Sequence, residues 1–275
     1  MLKARVITAL VLLAVLLPIL FLLPVIYIGI FFLLAMTTAA WEWSRLLNPG
    51  AEKAAWLYAL LCLMTIVFLL AIQNMNWQFG LLLLAVIFWF FIAPFILAKG
   101  MNLSIQKLRP FYVVLGLILL PATWFALVFL RELGLIFLLS TMALVWVADI
   151  GAYFVGKAVG KHKLAVQISP GKSIEGAVGG LILSYAYALL CVFFLPFEST
   201  LFGAWAIRFG WVPMFVMVTV LVAFSIFGDL FESQLKRLAG VKDSSGLLPG
   251  HGGVLDRVDA LIPTMPIAAL LVGLV

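Results

Sequence analysis

From Val6 to the last residue, apolar runs of about 20 residues follow one another, long enough as helices to cross roughly 30 Å of hydrocarbon. Lipid leaves no solvent for unpaired backbone groups, so runs of this kind fold as helices packed on helices. The rest of the composition agrees, since 66% of the 275 residues are hydrophobic and 10% are charged. With a mean hydropathy of +1.27, no water-soluble globular surface can be assembled from this chain. The sequence therefore predicts an all-α polytopic membrane protein, a single integral membrane domain over residues 1–275. The opening Met-Leu-Lys-Ala-Arg has the look of a leader, but the apolar stretch from residue 6 to 40 far exceeds a secretory h-region and reads as retained helices.

Breaking the runs at Pro, Gly and polar residues predicts about nine spans: 6–22, 24–40, 54–72, 79–98, 112–130, 133–149, 177–195, 211–230 and 259–275. The first two are divided at Pro24, because 35 apolar residues would form a helix of about 50 Å, more than tilt absorbs. Placing the N-terminus in the cytoplasm puts fifteen of the seventeen basic residues on the inside, with Arg131 and Arg208 outside. Merging the first two spans would reverse every later loop. The net charge of +6 is thus topological, and its scatter between spans excludes a nucleic-acid face. Cys62 and Cys191 each sit alone in an apolar run, which argues against a metal knuckle, a redox pair or a disulfide. Trp41, Trp43, Trp56, Trp77 and Trp124 fall near span ends, as interface anchors do.

Acidic residues are unevenly spread: eight of eleven come after residue 148. The reading is a scaffold half, 1–140, and a catalytic half, 141–275. Two polar inserts of about 27 residues, 150–176 and 231–258, carry the chemistry. In the polar cluster around the first, Trp146 to Glu175, Asp149 stands at the end of a predicted span, where a carboxylate needs a cation or simply meets water. Pro170-Gly171-Lys172-Ser173 precedes a helix-forming run, placing a hydroxyl, an ammonium and backbone N–H groups at a positive helix end. A Walker loop is excluded, because Val166 stands where its first glycine belongs.

In the polar cluster around the second insert, Gly228 to Asp259, Asp229 and Glu232 share one helix face, as do Asp256 and Asp259. Facing pairs of this kind could form an oxygen cage for Mg²⁺; equally, Asp256 and Asp259 could only cap the last helix. Lys236, Arg237, Lys242 and Arg257 interleave with these carboxylates, which suits a polyphosphate, although inside loops carry such cations anyway. Gly250-His251-Gly252-Gly253 allows backbone N–H groups to approach an anion, and no second histidine supports a zinc site.

The string Ser233, Lys236-Arg237, Lys242-Asp243, Pro249, His251-Gly252-Gly253, Asp256-Arg257, Asp259 resembles the signature of the phosphatidate cytidylyltransferases (CDP-diacylglycerol synthases). The upstream ADIGAYFVGK and SPGKS segments are similar to that family's, as is AAWEW in the N-terminal half. The resemblance implies attack of a phosphatidate oxygen on the α-phosphorus of CTP, release of pyrophosphate, and Mg²⁺, as one ion or two. It implies metal ligation by Asp229 and Asp256, with Asp259 as a further ligand or a group behind the ligands, and Lys172 at the reacting phosphate. Ser173, Asp149, Lys236, Arg237, Lys242, Asp243, His251, Gly252, Gly253 and Arg257 would hold the triphosphate or the headgroup. Partners would be CTP, phosphatidic acid and membrane lipid, with a homodimer left open. The location implied is a bacterial-type inner membrane, with the polar site facing the cytoplasm. A CTP-dependent lipid kinase and an ion-coupled transporter are the competing readings; the latter expects acidic groups at mid-membrane and two related halves.

Overall fold

The computed structural model describes Ala14 and residues 17–72 and 74–273. Residues 17–22 are helical, and the chain breaks at Leu23-Pro24 before α1 (Val25–Leu47). Then come α2 (Glu52–Ile72), α3 (Met75–Ala98), α4 (Ile105–Leu133) and α5 (Leu135–Val159). A two-stranded antiparallel hairpin, β1 (Lys163–Ala165) and β2 (Ser169–Ser173), leads into α6 (Ile174–Phe194). The short α7 (Leu201–Phe209) precedes α8 (Trp211–Leu238), and the chain closes with α9 (Leu255–Val258) and α10 (Leu261–Val272).

The protein is an all-α, multi-pass membrane protein: among the described residues, seven helices are long and apolar enough to cross a bilayer. α10 is apolar but shorter, and most of the predicted span 6–22 lies outside the described residues. The break at Pro24 falls where the sequence places it. Span ends differ. α5 and α8 continue well past Asp149 and Asp229, because hydropathy marks where lipid stops, whereas helical hydrogen bonding continues into water. The hairpin, α7 and the break between α9 and α10 were not predicted.

Helix α3 passes through one π-helical turn, Phe88–Ile92, just before Ala93-Pro94. Proline brings no N–H, and the wider turn absorbs that missing bond, with Ala93 donating to Phe88. At its end, the Gln234 side chain of α8 donates to the carbonyls of Ile96 and Gly100, at 3.0 and 2.6 Å. Pro266 in α10 likewise frees the carbonyl of Ile262, and the Thr123 hydroxyl of α4 reaches it at 3.3 Å. Two tryptophans depart from the interface reading. Trp43 and Trp124 are core residues, 2% and 5% exposed, whose indole N–H groups bond the carbonyls of Tyr112 and Gly29. Trp56 and Trp77 are exposed. Both cysteines are buried and free.

Close helix approach positions the polar groups. Along α5 and α6 the backbones nearly touch: a Cβ on Gly180 would lie 2.5 Å from the carbonyl of Ala148, and one on Gly176 would lie 2.7 Å from that of Ala152. Residue 149 is thereby brought beside the strand that leads into α6. Gly228 does the same for α8, because a Cβ there would stand 2.4 Å from the carbonyl of Asp259. That carbonyl lies four residues before Pro263, so the helical N–H it would accept is missing.

Candidate active site

The two polar inserts fold against each other. Asp149 from α5, Lys172 and Ser173 from β2 and Asp229 from α8 line one cavity of about 400 Å³, with Tyr153 and Ser169 on its wall. Across it, the Lys172 ammonium bonds Asp229 Oδ2 at 2.6 Å, and both side chains are less than one-third exposed. Ser233 donates to the other oxygen of Asp229 at 3.3 Å. Asp149 lies within electrostatic reach of Lys172, Asp229 and Arg257, and Asp259 within reach of Asp229, Lys172 and Lys236. Residues far apart in sequence therefore share one electrostatic field.

Deeper in, Lys236 bridges two carboxylates. Its ammonium contacts Glu232, one helical turn earlier, and Asp256 Oδ1 at 2.5 Å. Asp256 Oδ2 accepts from the Ser244 N–H at 2.9 Å, the Ser244 hydroxyl at 2.8 Å and the Gly253 N–H at 2.7 Å. Burial alone would raise the Asp256 carboxyl. The hydrogen bonds from Lys236, Gly253 and Ser244 outweigh it and hold the group down at about 2. Glu232 Oε1 is buried with no hydrogen-bond partner among the described residues. No three His, Cys, Asp or Glu residues among those described are grouped to hold a metal, and Asp229 and Asp256 are each paired with a lysine.

The other candidates are placed unevenly. Ser173 lies on the cavity wall, but its hydroxyl caps α6 by accepting from the Gly176 N–H at 3.1 Å. Lys172 is on a strand that runs directly into that cap, so the hairpin delivers it to the start of α6, as the sequence places it. Arg237 points at backbone, donating to the carbonyls of Ile168 and Val241, and so ties the hairpin to the loop after α8. Lys242 and Asp243 are exposed on that loop. His251 is half-buried, with Nδ1 unpartnered among the described residues. Gly252 and Gly253 have no room for a side chain, as a Cβ would come within 2.6 Å of Asp256 and 2.1 Å of Ser244 respectively. Glu175 stays outside the cavity and binds the N–H groups of Lys161 and His162, bracing the hairpin.

Sequence reasoning passed over Glu42 and Ser244. Glu42 is fully buried and receives hydrogen bonds from Ser244, Ser245, Val254 and Leu255. Its signals were a carboxylate between two tryptophans at the end of an apolar run and its place inside the family-like AAWEW segment, neither of which gave it a role.

A family model, described as the cytidylyltransferase family, matches residues 3–275. The chain belongs to that family. It is 40% identical over 275 residues to a phosphatidate cytidylyltransferase of Pseudomonas aeruginosa, covering 98% of this chain and 97% of the relative. A phosphatidate cytidylyltransferase of Staphylococcus haemolyticus is 32% identical over 98% of both chains. One from Haemophilus influenzae is 50% identical over 133 residues, 48% of this chain and 44% of the relative. The activity is that of a CTP:phosphatidate cytidylyltransferase, a nucleotidyltransferase making CDP-diacylglycerol for phospholipid synthesis. Its substrates are CTP and phosphatidate, and a divalent metal is typical of this family.

Proposed function

We propose that CTP and phosphatidate react in the cavity between Lys172 and Asp229, by in-line attack of a phosphatidate oxygen on the α-phosphorus. The oxygen–α-phosphorus bond forms as the bridge to the β-phosphate breaks, and pyrophosphate carries away the electron pair. A phosphate monoester is already largely dianionic near neutral pH, so a general base has little to do. Repulsion between two polyanions is the obstacle, and the groups around the cavity are suited to relieve it. The observation that carries this reading is the Lys172–Asp229 ion pair, 2.6 Å long, which joins both polar inserts at a cavity wall.

The donors fit Mg²⁺, a hard cation that takes carboxylate oxygens together with substrate phosphates. Asp229 and Asp259 would hold it, with Asp256 Oδ1, and the buried unpartnered oxygen of Glu232 fits the surroundings of a cation. When bound, the metal neutralises phosphate charge and supports the leaving pyrophosphate. Lys172 and Lys236 pair with carboxylates without nucleotide and turn to the phosphates when it arrives. Arg257 and His251 serve the same charge, with Lys242 at the exposed loop. Residues 1–140 act as scaffold. The cavity faces the cytoplasm, where CTP is found, and phosphatidate reaches it with its tails still in the membrane.

The test follows the label. Label from the α-phosphate of CTP is expected to enter lipid, only with divalent metal supplied, and chelation should stop it. A CTP made chiral at the α-phosphorus should give product of inverted configuration. Retention of configuration, or turnover undiminished by chelation, would reject this mechanism.

A further inference from the structure

Glu42 is the only fully buried acidic residue among those described, and it lies on α1, in the half of the chain that carries none of the candidate substrate contacts. Burying a carboxylate costs several kcal/mol unless donors surround it. No cation pairs with it among the described residues. Its four donors come instead from one short stretch of sequence, about two hundred residues further on. Oε1 accepts from the Ser245 hydroxyl at 2.5 Å and the Val254 N–H at 3.0 Å. Oε2 accepts from the Leu255 N–H at 2.6 Å and the Ser244 hydroxyl at 3.3 Å.

We infer that Glu42 is a positioning residue that clamps both ends of the 244–255 loop and so sets the CTP-binding geometry of the site. The loop is pinned at its start through Ser245, with Ser244 between Glu42 and Asp256, and at its end through Val254 and Leu255. Between these points lies His251, and Lys242 and Asp243 lie immediately before them. The Ser244 hydroxyl has one hydrogen, and it lies closer to Asp256, at 2.8 Å, than to Glu42. Thus the same serine that meets Glu42 fixes Asp256, which in turn holds Lys236. Packing leaves the clamp no slack: a Cβ on Gly253 would stand 2.3 Å from Glu42 Oε1 and 2.1 Å from the Ser244 hydroxyl. Glu42 touches no substrate in this arrangement and acts through the loop.

The inference rests on the reading of this loop as a CTP contact, and the experiment separates the two. Glu42→Gln keeps the size of the side chain but sets an amide N–H₂ against a backbone N–H donor. In lipid nanodiscs, amide hydrogen exchange across residues 244–255 should quicken at least tenfold, with α4 and α5 unchanged. The KM for CTP should rise about tenfold, the cost of one hydrogen bond to a charged group, with the KM for phosphatidate within twofold of the parent. A residue that merely supports the fold would lower the amount of active protein and leave the CTP KM alone. Ser245→Ala, which leaves the carboxylate in place, should shift both readouts the same way by severalfold, and it decides the matter if Glu42→Gln does not fold. Unchanged loop exchange overturns the clamp. Faster exchange with an unchanged CTP KM overturns its role in positioning. Lys242→Ala tests the loop on its own: an unchanged CTP KM there removes the loop from the CTP site while the exchange result still judges the clamp.

Discussion

Asp229→Asn is expected to lower turnover about a hundred- to a thousandfold, the range seen when one preorganised electrostatic group is lost. The exchange is nearly isosteric, so the cavity keeps its shape. It removes the charge that holds Lys172 and stands beside Asp259, leaving the lysine with no carboxylate at 2.6 Å. Because the pair is about one-quarter exposed, its loss should cost the fold only about 1–2 kcal/mol, between the values for surface and buried pairs. Activity and stability therefore separate: thermal unfolding in detergent should move little while incorporation of cytidylyl label into lipid collapses. Near-parental turnover would remove Asp229 from the reaction.

Asp256→Asn should impair both. Its Oδ2 gathers three donors and Oδ1 meets Lys236, whose side chain is 11% exposed against 5% for Asp256. An amide nitrogen facing Lys236 repels it, leaving that ammonium with Glu232 alone. Breaking a buried pair costs about 3–5 kcal/mol, and the retained Glu232 contact argues for the lower end. Turnover should fall at least a hundredfold at saturating CTP. The pH dependence has a definite sign. The carboxyl sits at about 2 when folded, against an ordinary value of 3.8. Its stabilisation is therefore complete above about pH 4 and is lost as pH falls towards 2. The stability gap between parent and variant should narrow over that window. A constant gap, measured by unfolding at several pH values, would contradict the hydrogen-bonding account.

The membrane helices were legible because lipid enforces a simple rule: long apolar runs become helices, and Pro24 divides two of them. The rule says little about where a helix ends outside lipid, which is why α5 and α8 outrun their predicted limits. It also fails on small polar structure. Lys-Leu-Ala and Ser-Pro-Gly-Lys-Ser show no strand-like alternation, yet they pair, because the turn between them and the helix cap at Ser173 favour the hairpin. Local spacing brought out Asp229 and Glu232 on one face, and it brought out Asp256 and Asp259. Spacing could not reveal that Lys236 would take Glu232 and Asp256 together, or that Arg237 would be spent on backbone carbonyls. Glu42 lies in the family-like AAWEW segment, yet its role was not visible, since its partners are about two hundred residues away. Trp43 and Trp124 passed for interface residues because near span ends an anchoring indole and a buried one read alike.

The separation of 202 residues between Glu42 and Ser244 also orders events during synthesis. At about 5–20 residues per second, the first helices are complete roughly 10–40 seconds before the donors for this carboxylate emerge from the ribosome. Until then the end of α1 must stay hydrated, because an unmet anion cannot enter a dry interior. Maturation of the enzyme thus waits on translation of residues 244–255, and a nascent chain halted short of them lacks every donor that Glu42 uses.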